Sequence, residues 1–177
     1  MTYEELLHAV RAAAEVARVD ELLIFGSQAI LLEHPDAVAE LRQSVELDAV
    51  ARQHPERWEL IDGPLGEDSP FHRTHGFYVH GVGLETATFP EGWEMRAVTH
   101  TLGSPPVRVI TPEVHDLAAS KLAAGRDKDF DYVTVLIKHD YVDTQKLLRR
   151  VARLPGPAET RERLRQWIGA VAASLSG

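Results

Sequence analysis

Two carboxylates one residue apart, in Ser44-Val45-Glu46-Leu47-Asp48-Ala49-Val50, are the first chemical signal in this chain. Alternating polar and apolar residues predict a strand over residues 44–50. On a strand every second side chain shares a face. Val45, Leu47 and Ala49 are therefore expected to face the core, with Ser44, Glu46 and Asp48 together on the other side. Adjacent carboxylates repel, and each raises the other's pKa unless a cation joins them. A divalent metal carrying nucleotide phosphates is such a cation, because Mg²⁺ takes one or two carboxylates along with phosphate and water oxygens. An edge strand with ordinary exposed acids accounts for the same pattern equally well.

The second signal is a lysine where an apolar residue belongs. The segment 111–122 predicts a helix whose buried face runs Val114, Leu117, Ala118, Lys121, Leu122, in steps of three and four. The Lys121 ammonium should point inward, and there it needs an anionic partner or a phosphate. A structural ion pair or a snorkelling stem would serve as well as a functional role. Arg126, Asp127, Lys128, Asp129 and Asp131 follow. Asp129 lies four and seven residues before Val133 and Leu136, so it borders the apolar stripe of the next helix. Acids in a first helical turn also favour the helix dipole, which explains at least one of the three aspartates. Gly26-Ser27 lies between an apolar run and a helix start. Glycine there lets a ligand approach the backbone, and free N–H groups favour an anion; a tight turn with Ser27 as N-cap is the plainer alternative. The nine histidines show no helical metal-ligand spacing, so His72, His75 and His80 predict no metal site. Neither a P-loop nor a G-x-S-x-G pattern is present.

Elements that could position these residues are legible. An amphipathic helix is expected over 3–18, a buried strand over 22–25, and a helix from Gln28 to Glu33 that Pro35 interrupts and 36–42 resumes. Residues 53–75 read as a long polar surface loop, 76–82 as a strand, and the passage containing Phe89-Pro90-Glu91-Gly92-Trp93 as turns. A strand over 107–110 should run into Thr111 as N-cap and Pro112 as the first helical residue. Helices are expected over 128–138, after Asp143 as N-cap, and after the Pro155-Gly156-Pro157 break. This order predicts an α/β (α+β) protein: a small mixed sheet covered by helices, with a C-terminal helical part. The expected division is a domain over 1–137 and a helical extension over 138–177 packed on it.

Composition narrows the function classes. The 177 residues contain no cysteine, which excludes disulfides, thiolate metal sites and a cysteine nucleophile. The acidic start, Met1-Thr2-Tyr3-Glu4-Glu5, does not follow a signal-peptide pattern, and no apolar run approaches the ~20 residues a membrane-spanning helix needs. A cytoplasmic protein without a membrane partner is expected. The net charge is −8, unevenly spread: residues 138–177 carry 8 Lys/Arg against 4 Asp/Glu. Solvated helix surface explains that excess, and so does a platform for a phosphate backbone.

Taken together, Phe25-Gly26-Ser27 and Glu46-Leu47-Asp48 resemble the signature of the nucleotidyltransferase superfamily related to DNA polymerase beta. Arg42-Gln43-Ser44-Val45-Glu46-Leu47-Asp48 and Ser120-Lys121-Leu122-Ala123-Ala124-Gly125-Arg126-Asp127-Lys128-Asp129 look most like its AbiEii/MenT-type branch of toxin–antitoxin systems. Phe89-Pro90-Glu91-Gly92-Trp93 is similar to a passage of uncharacterised bacterial members. The resemblance covers about residues 22–137. It implies Mg²⁺ on Glu46 and Asp48, an NTP held by Gly26, Ser27 and Ser44, and catalytic roles for Lys121 and Asp129, with Arg126 touching phosphate. It also implies transfer of a nucleotide to an acceptor such as a tRNA 3′ end, and a cognate antitoxin partner. Glu46 departs from the usual Asp, so a degenerate member that binds nucleotide or a protein without catalysis is the alternative. His80 stands where a third carboxylate is often found, leaving Glu85 or Asp129 as the candidate third acid.

Overall fold

In the computed structural model, which describes residues 1–175, one five-stranded mixed sheet has the order β3-β2-β1-β5-β4. Its strands are β1 (Glu21–Phe25), β2 (Glu46–Val50), β3 (Tyr78–Gly81), β4 (Val98–Leu102) and β5 (Val107–Thr111). β1 is central and buried along its whole length, which is why residues 22–25 read as an unbroken apolar run, while Glu21, buried at its start, is paired with Arg52 and Arg108. It pairs antiparallel with β2 and parallel with β5; β2 pairs parallel with β3, and β4 antiparallel with β5. The mixed α/β architecture expected from the sequence is the one observed.

The chain packs as two compact units: Met1–Thr86 with Ala97–Thr111, and Ala87–Arg96 with Pro112–Gly177. The first holds the sheet and helices α1 (Tyr3–Ala17), α2 (Ile30–Glu33), α3 (Trp58–Leu65) and α4 (Pro70–His75). Thr2 and Glu5 form a capping box at the start of α1, and Leu6, Val10, Ala13 and Ala17 bury its apolar stripe. The second unit holds α5 (Val114–Ala124), α6 (Asp127–Lys138), α7 (Thr144–Val151) and α8 (Ala158–Leu175). Asp143 caps α7 as expected, accepting a hydrogen bond from the Lys146 amide at 2.6 Å.

Four local expectations are corrected. Residues 53–75 are not a long loop: α3 buries Ile61 and Leu65, and α4 starts with Ser69 as N-cap and Pro70 behind it. Gly63 and Pro64 lie inside α3 and α4 is a single short, mostly polar run, so periodicity did not reveal them. Val45 is 42 % exposed, because β2 begins at Glu46 and the alternation does not extend back to it. Strand β4 lies within a passage read as turns. Its alternating Val98-Thr99-His100-Thr101-Leu102 was a usable signal. Finally, α5 is capped by Glu113, whose carboxylate accepts from the His115 amide at 3.3 Å, and not by Thr111, which is the last residue of β5.

Candidate active site

In the first unit, Glu46 and Asp48 project from the same face of β2. Their burial alternates with that of Leu47 and Ala49, which are fully buried. The parallel register sets Tyr78 beside Glu46 and His80 beside Asp48 on β3. Side chains opposite one another in a ladder share a face, so the imidazole joins the two carboxylates. His80 Nδ1 lies 3.0 Å from Glu46 Oε1 and 3.7 Å from Asp48 Oδ1. One potential ligand atom from each of Glu46, Asp48 and His80 falls within 4.8 Å of the others. Two carboxylate oxygens and an imidazole nitrogen are a donor set that suits a divalent cation. Glu85 is not part of this group among the described residues. His80, to which histidine spacing assigned no metal role, occupies the place where the resemblance sets a third carboxylate, and the β2–β3 register brings its ring to Glu46 and Asp48.

Backbone shape fixes the other wall. Gly26 follows β1 with φ 87° and ψ −175°, a conformation that residues with a side chain rarely adopt. A Cβ built there would come within 2.1 Å of Asp48 Oδ2. The Gly-Ser turn thus lays bare backbone against one of the paired carboxylates. Ser27 opens the 3₁₀ turn Ser27–Ala29. Ser44 lies just before β2, and its Oγ accepts from the Glu46 amide at 3.2 Å. The Met1 ammonium donates to the Arg42 carbonyl, and to that of Ser44 at 2.9 Å, tying down the approach to β2.

The electrostatics of this face are negative. The Tyr78 phenol is pushed up to about 12, first by burial and then by the charges of Glu46, Glu67, Asp48 and Asp62. Glycine matters once more at β3. A Cβ on Gly81 would meet the Trp58 carbonyl oxygen at 2.2 Å and the Asp62 nitrogen at 2.9 Å, so α3 lies directly on the strand. That contact brings Asp62 to 3.9 Å from His80 Nε2.

The second unit carries the lysine and its neighbours. Lys121 is 11 % exposed, and its ammonium pairs with Asp129 Oδ1 at 3.5 Å and lies 5.7 Å from the Tyr132 ring centre. The inward lysine therefore has the anionic partner its burial requires. Asp129 is almost fully buried at the start of α6 and also receives the Arg126 guanidinium, at 2.6 and 3.1 Å. Burial alone would raise the Asp129 pKa; the Arg126 hydrogen bonds and the Lys121 charge outweigh it and hold the pKa below the ordinary value. Gly125, at φ 72°, ends α5 and lets Arg126 start α6 next to it.

A denser ionic network lies beside α5. Asp116, with no exposed surface, accepts from Arg96 Nε at 2.7 Å and Nη2 at 2.8 Å. Arg150 Nε stands 3.3 Å from the same carboxylate without hydrogen-bond alignment. Glu113 accepts from Lys146 at 2.9 Å and from His115 Nδ1 at 2.6 Å. Because His115 Nε2 accepts the Asp143 amide at 2.8 Å, the ring is the neutral tautomer that donates through Nδ1. The basic excess of 138–177 is thus partly internal. Lys146 and Arg150 serve α5, and Arg161 donates to the carbonyls of Leu154 and Gly156.

No helix among the described residues is long and apolar enough to cross a membrane. No curated protein and no solved structure matches the chain. Residues 4–163 match the family model described as "Nucleotidyltransferase of unknown function (DUF6036)", a span that contains the Gly-Ser turn, the paired carboxylates and the lysine helix, and the chain belongs to that family.

Proposed function

We propose that this protein is a Mg²⁺-dependent nucleotidyltransferase that moves a nucleoside monophosphate from an NTP to an acceptor hydroxyl. The observation that carries this reading is the pairing of Glu46 with Asp48 on one strand face, with the bare backbone of Gly26 against Asp48. A divalent cation bound to Glu46 and Asp48 would offset phosphate charge and favour in-line attack at the α-phosphate. Gly26, Ser27 and Ser44 hold the triphosphate through backbone and hydroxyl groups. The acceptor oxygen bonds to the α-phosphorus as the bond to the bridging oxygen breaks. Pyrophosphate leaves, and the hydroxyl proton goes to solvent. In the second unit, Lys121 and Arg126 are the cations assigned to phosphate charge, and Asp129 positions both.

The acceptor we favour is a tRNA 3′ end. This follows the likeness of the Arg42–Asp48 and Ser120–Asp129 motifs to AbiEii/MenT-type toxins, which also suggests a cytoplasmic setting and an antitoxin partner. Lys138, Arg149, Arg153 and Arg163 are the basic residues proposed to meet RNA. The test is incubation with each α-labelled NTP, Mg²⁺ and total tRNA, alongside Glu46→Ala and Lys121→Ala. Label on RNA with the wild type alone supports the reading, and label on protein changes the acceptor. Nucleotide binding without any transfer favours a degenerate member, the alternative motivated by Glu46. Full transfer by both variants refutes the mechanism.

A further inference from the structure

We infer that His80 is the third protein ligand of the cation site, oriented by Asp62, and that it tunes the site toward Mn²⁺-class ions relative to Mg²⁺. The inference rests on the proposed cation binding at Glu46 and Asp48. The ladder places His80 beside Asp48 and aims Nδ1 between the two carboxylates, at 3.0 and 3.7 Å. The independent observation is on the other ring nitrogen. Nε2 faces Asp62 Oδ1 at 3.9 Å, an ion-pair distance beyond hydrogen-bond length, from which a small side-chain rotation would let the carboxylate take the second ring proton of a metal-ligating histidine and set its tautomer.

Asp62 is there because Gly81 lets α3 rest on β3 without an intervening side chain. The strand and the helix behind it therefore each supply part of one device. An imidazole in this place changes which metal the site prefers. Mg²⁺ is a hard ion that favours oxygen ligands, whereas the first-row transition ions accept nitrogen readily. A third carboxylate would add negative charge and favour Mg²⁺. The neutral imidazole adds no charge and favours the softer ion.

The experiment titrates Mn²⁺ and Mg²⁺ separately into the full chain by calorimetry and records electron spin-echo spectra of the Mn²⁺-loaded protein. Wild type should show nitrogen coupling to Mn²⁺, lost in His80→Gln. His80→Asp should narrow the Mn²⁺-to-Mg²⁺ affinity ratio by about tenfold or more, and Asp62→Asn should weaken Mn²⁺ binding by about tenfold, as losses of this kind do at histidine-ligated sites. His80 is 47 % exposed, so both substitutions leave the core intact, and matching thermal melts would verify this. Bound Mn²⁺ without nitrogen coupling, or an unchanged affinity ratio in His80→Asp, would overturn the assignment of His80 while leaving a cation on the carboxylates. Absence of binding by either metal, with and without ATP, would overturn both.

Discussion

Replacing Gly26 with alanine separates two costs that the structure places at one residue. The backbone cost comes from φ 87° and ψ −175°, a region that a residue with a side chain enters at about 1–3 kcal/mol. The steric cost comes from the new Cβ, which would lie 2.1 Å from Asp48 Oδ2, 3.1 Å from its Cγ and 3.4 Å from its Cβ. The last of these is an ordinary contact, so the clash is with the far end of a side chain. With Asp48 25 % exposed, its carboxylate can swing away. The stability loss should therefore stay near the backbone figure, a fall in Tm of about 2–12 °C for a chain of this size. The displaced carboxylate should weaken Mn²⁺ binding at least as much as Asp48→Asn does. Calorimetric melts and metal titration measure the two effects separately. In the double variant Gly26→Ala, Asp48→Ala, the stability loss attributable to Gly26 should persist within about 0.5 kcal/mol, because it belongs to the backbone. A Gly26→Ala protein as stable as wild type would show that the turn is not held in this conformation. Undiminished Mn²⁺ affinity would show that Gly26 does not position Asp48.

Three further outcomes follow from named contacts. Asp116→Ala leaves Arg96 and Arg150 without their buried partner, and urea denaturation should show a loss of about 3–5 kcal/mol; a loss below about 1 kcal/mol would contradict this. Burial pushes the Glu113 carboxyl up, but hydrogen bonds from His115 and Lys146 outweigh that and bring it down to about 2. A depressed carboxyl stabilises the folded state fully above its unfolded pKa of 4.5, and that contribution disappears as pH falls toward about 2. It amounts to up to about 3 kcal/mol, and Glu113→Gln should flatten the dependence of stability on pH across this window; an unchanged slope would exclude Glu113 as its source. Gly81→Ala sets a Cβ against the Trp58 backbone carbonyl, which cannot swing aside, so α3 must shift at a cost of about 1–3 kcal/mol read by thermal melt; a variant as stable as wild type would show that α3 does not rest on β3.

Much of this protein is written in local pattern. The unbroken apolar run of β1, the Gly26-Ser27 turn and the alternation of Glu46-Leu47-Asp48 are properties of a few consecutive residues. So is the stripe around Lys121, whose period also implied a buried partner. Sequence sufficed there because period and charge act within one element. The short helices escaped because Gly63 and Pro64 read as breakers inside α3 and α4 is a short, mostly polar run, and β4 because its alternation sits among turn residues. His80 was legible only in part: the resemblance set it where a third carboxylate is often found, but did not mark it as a ligand. Nothing near it in sequence is a ligand, and its neighbours Glu46, Asp48 and Asp62 come from β2 and α3. Which carboxylates stand together, and that the inward lysine needs an anion, follow from local pattern. What joins them is settled by folding, because strand register and the bare face of Gly81 are set by packing between segments far apart in the chain.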